Sequence, residues 1–270
     1  MRHPDTIPEA IPPATAAPEK VDTSRRSLLR GIGLASVGAA ALAAGCSKGE
    51  AIAAPAPAPA IPAVDKSVAI MGANESPFGP SPKAIEAMIA KASLTARYAD
   101  DEGEELKKQI AAIEGVDPQQ IFLANGSTPI LAAFGEIIAA KGKGQLVTSI
   151  ATYEGVPRSV LEYGAELITA PLTADFGIDL DAMAARITKK TTATYVCNPN
   201  NPTGNMVDPV KLRAFAIEAS KTAPCFIDEA YLHLCDDYDA NVMTSLLREG
   251  HNVVIGRTFS KIYGMAGQRL

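Results

Sequence analysis

The stretch Thr191–Gly204, TTATYVCNPNNPTG, changes character halfway. Thr191 to Cys197 is a β-branched, apolar run of strand length, and Asn198-Pro199-Asn200-Asn201-Pro202-Thr203-Gly204 is built from turn formers. On its own this is a strand that ends in a β-turn. The same succession recurs to either side. Cys225–Ile227 gives way to Asp228-Glu229-Ala230-Tyr231, and Asn252–Ile255 to Thr258, Ser260 and Lys261. Earlier strand-like runs cover Gln145–Ile150 and Ala165–Thr169. Helical periodicity separates them near Gly155–Tyr163, Leu180–Ile187, Pro209–Lys221 and Met243–Arg248. Upstream, Ser81-Pro82 opens a helix with an N-cap and a proline at its first position, and two more helices run near Glu104–Glu114 and Thr128–Ala140. Strands alternating with helices predict an α/β fold with a mostly parallel sheet covered on both faces. Such sheets bind ligands outside the carboxyl ends of their strands, where the polar residues of this chain collect.

Composition narrows the function. The 270 residues are 47% hydrophobic and 20% charged, as in ordinary globular proteins, and the net charge of -5 speaks against a nucleic-acid partner. No two of Cys46, Cys197, Cys225 and Cys235 are spaced as a metal pair, so no metal is expected. Cys197 and Cys225 lie in apolar runs and read as small buried hydrophobes.

The first sixty residues do not read as a domain. Ser24-Arg25-Arg26-Ser27-Leu28-Leu29-Arg30 precedes an Ala/Gly-rich apolar run from Gly31 to Gly45, too short to span a bilayer permanently. Paired arginines before such a run match the twin-arginine export pattern. Leu42-Ala43-Ala44-Gly45-Cys46 resembles a lipoprotein cleavage box, with Cys46 as the lipidated residue; cleavage without lipidation is the alternative. Residues 1–46 are thus expected to be a signal peptide, and residues 47–66, with their Ala-Pro repeat, an extended spacer. Removing residues 1–45 takes five basic and four acidic side chains from totals of 25 and 30, leaving a net charge of -6. The product expected is an acidic periplasmic domain, tethered or released.

The chemistry follows from the strand ends. Gly126-Ser127-Thr128 opens a helix, which offers N–H groups, hydroxyls and a favourable dipole to a phosphate; by itself it is an N-cap. Thr258, Ser260 and Arg269 add hydroxyl and guanidinium donors. Lys261 beside a bound phosphate suggests pyridoxal phosphate, whose aldehyde joins an amine and whose ring withdraws electrons. Asp228 would pair with the ring nitrogen, although alone it could be a helix cap. Asn201 and Tyr231 would approach the ring hydroxyl.

The ordered set Asn-Gly-Ser, Thr152-Tyr153, Asn198–Gly204, Asp228–Tyr231 and Thr258-Phe259-Ser260-Lys261…Gly267-Gln268-Arg269 resembles the class I/II aminotransferases of fold type I. Asn74–Pro82, with Arg97-Tyr98-Ala99-Asp100, is similar to the histidinol-phosphate aminotransferase branch. The resemblance covers about residues 68–270. It implies an N-terminal arm and the start of a small domain over 67–100. It also implies the large domain of a pyridoxal-phosphate-dependent transferase, an α/β/α sandwich, over 101–270. Family members continue for roughly another hundred residues, which complete the small domain and carry an arginine for the substrate carboxylate. By the resemblance, Lys261 forms the aldimine and moves the proton, Asp228 pairs with the pyridinium, and Asn201 and Tyr231 bond the phenolic oxygen. Tyr153 stacks on the ring. Gly126, Ser127, Thr128, Thr258, Ser260 and Arg269 hold the phosphate. Tyr98 reaches the phosphate of a second subunit, implying a homodimer, and Asn74 lines the substrate entrance. Thr128-Pro129 stands where the family usually has an acidic pair, and Ala99 where it usually has proline.

The expected activity is amino transfer between an amino acid and a 2-oxo acid. The alternatives are a lyase, decarboxylase or racemase on the same fold, or an inactive exported binding protein. Export argues against a role in histidine biosynthesis, a cytosolic pathway.

Overall fold

Alternation along the strands decides which residues form the core. The computed structural model describes residues 72–269 other than 141 and 143, which belong to one compact unit. The signal peptide expected over residues 1–46, with Cys46, and the spacer expected over 47–66 lie outside the described residues.

Among the described residues, three α-helices precede the sheet: α1 (Pro82–Lys91), α2 (Asp100–Glu114) and α3 (Ser127–Ala140). Then follow β1 (Gln145–Ser149), α4 (Gly155–Glu162), β2 (Glu166–Ala170), α5 (Leu180–Ala184), β3 (Thr191–Cys197), α6 (Pro209–Ser220) and β4 (Cys225–Asp228). The short helices α7 (Tyr238–Asn241) and α8 (Ser245–Arg248) lead to β5 (Val253–Gly256). Helix starts follow their caps. Ser81 accepts from Ala84 N at 3.2 Å, Asp179 from Ala182 N at 2.8 Å, and Asp208 from Lys211 N at 2.9 Å.

The five strands form one parallel sheet in the order β2-β1-β3-β4-β5. Period two separates the core into two layers. Leu146, Tyr195 and Phe226 pack with Leu131 and Ile138 of α3 and Val156 and Val160 of α4. Val147, Val196 and Ile227 face the other way, onto Leu180 and Met183 of α5 and Leu212, Phe215 and Ala216 of α6. Each such fully buried side chain is worth about 1.5–3 kcal/mol. The result is the expected α/β/α sandwich.

Strand and helix bounds depart from the sequence expectations where local chemistry intervenes. α2 begins at Asp100 rather than Glu104, because Asp100, Asp101 and Glu102 place negative charge on its first turn. α8 begins at Ser245 rather than Met243, whose N–H is held by Glu229 Oε1 at 2.9 Å.

The strand order reverses at β1, which has β2 on one side and β3 on the other. Loops leaving β1 and β3 therefore diverge, and a crevice opens between them at the carboxyl edge.

Candidate active site

The turn after β3 is held by its own asparagines. Asn198 is buried and its Oδ1 accepts from Val207 N at 2.8 Å, while its N–H reaches Asp228 O at 2.9 Å. Asn200, also buried, donates from Nδ2 to Thr203 Oγ1 and to Ala151 O, both at 2.9 Å. The second bond ties the loop after β1 to the loop after β3 across the crevice.

A cavity of about 260 Å³ lies beside this junction. Ser127, Thr128, Tyr153, Asp228, Tyr231, Thr258, Ser260, Lys261 and Arg269 all line it. They come from three strand ends, those of β1, β4 and β5, and one helix start. Asp228 closes β4, at 5% exposure, and Lys261 lies five residues beyond the end of β5. The start of α3 brings Ser127 and Thr128. Thr258 Oγ1 accepts from Ser260 N at 3.0 Å, a small turn that orders both hydroxyl residues.

Other expected residues sit behind this lining. Asn201 donates from Nδ2 to Tyr231 OH at 3.3 Å, and Asn74 donates to the same oxygen at 3.1 Å. Gly126 does not line the cavity. Its φ is +79°, and a Cβ there would come within 2.0 Å of Arg269 Nη2, so glycine is what lets the guanidinium lie against the start of α3. Arg269 also reaches Asn125 O at 3.4 Å. Tyr98 is 96% exposed and apart from the cavity.

The segment before α1 crosses the site. Lys261 Nζ donates to Ala73 O at 2.8 Å and lies 5.5 Å from the centre of the Tyr231 ring. Ala73 and Asn74 take φ of 60° and 50°, the left-handed conformation that non-glycine residues adopt rarely. Glu75 of this segment also lines the cavity.

Burial sets the electrostatics. It pushes the Asp228 carboxyl above its ordinary range, opposed by hydrogen bonds from Tyr195 and Ala230 and by the Lys261 charge. Burial and then Asp228 push the Cys197 thiol up to about 12, so this cavity-lining sulfur is no nucleophile at neutral pH. Cys197 and Cys225 are both buried, the structural role their sequence setting suggested.

Sequence reading missed a buried ionic group under the site. Glu229, 1% exposed, accepts at Oε2 from Arg257 Nε at 2.9 Å and Nη2 at 2.8 Å. Arg257 Nη1 also contacts Glu114 and Tyr238 OH. Glu229 follows Asp228 and Arg257 precedes Thr258, so the pair fixes the two strand ends that carry the cavity's anion and its hydroxyls. It also missed Tyr195, whose hydroxyl donates to Asp228 at 2.9 Å. The strand alternation of β3 and β4 held the signal, but only their register makes it legible.

Known proteins resemble this chain in sequence and in fold. A histidinol-phosphate aminotransferase of Brevibacillus brevis is 37% identical over 200 residues, covering 74% of the chain and 54% of the relative. An aromatic amino acid aminotransferase of Cutibacterium acnes is 36% identical over 200 residues, covering 74% and 56%. Among solved structures, a histidinol-phosphate aminotransferase of Sinorhizobium meliloti in complex with pyridoxal-5'-phosphate superposes with a TM-score of 0.63 at 32% identity, covering 73% of this chain and 53% of that one. The chain spans about half the length of the curated relatives it matches. Residues 66–270 match the family Aminotransferase class I and II, and with that extent of agreement the chain belongs to this family.

Proposed function

We propose that the cavity holds pyridoxal 5'-phosphate and that the whole protein moves an amino group between an amino acid and a 2-oxo acid. One observation carries the reading: an amine, a buried carboxylate and a set of hydroxyl and guanidinium donors line one 260 Å³ space. The donor set suits the cofactor. Ser127, Thr128, Thr258, Ser260 and Arg269 offer hydrogen bonds and charge to a phosphate, Lys261 offers an amine to an aldehyde, and Asp228 an anion to a ring nitrogen. When bound, the cofactor supplies an aldehyde carbon that takes up the amino group and a ring that spreads the electron pair left at the substrate α-carbon.

The chain's residues do the rest. Lys261 Nζ holds and returns the proton exchanged at the substrate α-carbon. Asp228, shielded from water, holds a positive charge on the ring nitrogen. Tyr231, its hydroxyl bonded by Asn201 and Asn74, supports the ring hydroxyl. Tyr153, which lines the cavity, would pack on the cofactor's ring, and Asn74 would border the entrance. Histidinol phosphate and aromatic amino acids, named for the relatives, share an amine-bearing carbon attached through a methylene to an aromatic ring. We propose substrates of that class.

Borohydride reduction of the 270-residue chain with pyridoxal 5'-phosphate, followed by peptide mapping, tests the site. Label is expected on Lys261 and lost in Lys261→Ala; an unlabelled chain refutes the reading. Product analysis with and without a 2-oxo acid separates amino transfer from decarboxylation or racemisation.

The assignments outside the cavity belong to the same proposal. The small domain begins within residues 67–100, with the cofactor-binding domain from residue 101. The protein forms a homodimer in which Tyr98, exposed in one copy, reaches the phosphate site of the other. Sedimentation at a monomer mass would refute this. The order of Arg25-Arg26, the apolar run and Cys46 supports twin-arginine export to the periplasm with a lipid anchor. Palmitate labelling lost in Cys46→Ala supports the anchor, and an unlabelled wild type refutes it.

A further inference from the structure

Tyr195 lies within β3 and is fully buried. A hydroxyl taken out of water needs a partner, and this one donates to Asp228 Oδ2 at 2.9 Å. The parallel register sets Tyr195 beside Phe226 and Cys197 beside Asp228, so the tyrosine reaches along one face of the sheet to the next strand's carboxylate. The other oxygen, Oδ1, accepts from Ala230 N at 3.1 Å. A carboxylate offers about four lone-pair sites, so two remain while Asp228 lines the cavity.

We infer that Tyr195 is a positioning residue of the cofactor site: its hydroxyl fixes the Asp228 carboxylate in the orientation that meets the ring nitrogen of pyridoxal phosphate. The inference rests on the reading of this cavity as a pyridoxal-phosphate site. Phenylalanine would fill the same space, so packing alone does not call for the oxygen.

The charge state follows the same geometry. Facing Asp228 are Tyr195 and Cys197 of β3, Tyr153 after β1, Tyr231 after β4 and Lys261 after β5. Burial favours the protonated acid; the Tyr195 hydrogen bond, the Ala230 N–H and the Lys261 charge oppose it. Burial first, and then the Asp228 charge, raise the Tyr195 hydroxyl well above its ordinary range, so it remains a donor throughout the working pH.

Tyr195→Phe in the 270-residue chain tests this, with circular dichroism and the urea midpoint reporting the fold. On the cofactor-free protein, the side-chain carbon signal of 13C-labelled Asp228 is assigned by its loss in Asp228→Asn and followed against pH. Its midpoint is expected to rise in Tyr195→Phe. Equilibrium dialysis with pyridoxal 5'-phosphate at neutral pH is expected to show affinity falling on the order of tenfold, the scale of a hydrogen bond to a charged group. The loss should vanish in an Asp228→Asn background, and with a cofactor analogue bearing carbon in place of the ring nitrogen. An unmoved Asp228 midpoint, unchanged affinity, or an equal loss in the Asp228→Asn background would each overturn the inference while leaving the cofactor reading intact. An unaltered chain that binds no pyridoxal 5'-phosphate would overturn both.

Discussion

Removing Arg257 as Arg257→Met would strand a carboxylate in the interior. The Glu229 side chain is 1% exposed, and among the described residues its one donor besides Arg257 is the Met243 N–H. Burial pushes this carboxyl up from its ordinary range, and the Arg257 charge opposes that push. Breaking a buried pair by deleting one partner costs about 3–5 kcal/mol, because the remaining charge is left without water or counter-ion. Methionine keeps much of the aliphatic stem, so packing loss is secondary. For a unit of this size each kcal/mol is worth about 2–4 °C, giving a melting point lower by roughly 6–20 °C. Urea unfolding at pH 7 should show the midpoint fall at unchanged slope. Adding Glu229→Gln should restore most of the loss, since the amide keeps an acceptor for Met243 N–H and carries no charge. The pH dependence has a definite sign. Without the guanidinium the folded-state carboxyl rises further above its unfolded value. Its stabilising contribution is then full below the ordinary glutamate range and is lost as pH rises through the folded midpoint. Arg257→Met and the parent should therefore converge toward about pH 4 and separate toward neutrality. A loss under about 1 kcal/mol, or a double variant no more stable than Arg257→Met, would refute the reasoning.

Two further substitution and labelling experiments probe other parts of the site. Gly264 has φ of +66°, and a Cβ there would lie 2.2 Å from the Gly79 carbonyl carbon and oxygen and 2.7 Å from Pro80 N. Because these are backbone atoms, Gly264→Ala should push the segment before α1 outward; cleavage within residues 76–82 under limited proteolysis should quicken, and an unchanged rate would count against the contact. Burial raises the Cys225 thiol to about 11 and, with Asp228, the Cys197 thiol to about 12. Neither should be alkylated by iodoacetamide at pH 8 in the folded chain, whereas both should react in urea; modification of either while folded would contradict their burial.

Much of the architecture could be read from local pattern. The run Thr191–Cys197 matched β3 residue for residue, and Ser81-Pro82 marked the start of α1, because caps, β-branching and proline act through near neighbours. Asp228, Lys261, Ser127 and Arg269 were identifiable because each stands at or beyond the end of a strand, or at the start of a helix. Their residue types also have a joint chemical use. Glu229 and Arg257 were not identifiable in that way. Read in sequence they are surface-type charges, and only the pairing of β4 with β5 brings them together in the interior.

By itself, then, the sequence determined the α/β class, the strand ends that meet at the cavity, and the residue types that line it. Those depend on periodicity and residue type, which are local. Tertiary structure alone decided the strand order that opens the crevice at β1 and β3, the placement of Arg269 against Gly126, and the bonding of Tyr195 to Asp228. The last two join residues 33 and 143 positions apart in the chain, Tyr195 with Asp228 and Gly126 with Arg269. No local pattern encodes such a separation; it is fixed by how the two apolar faces of the sheet are covered.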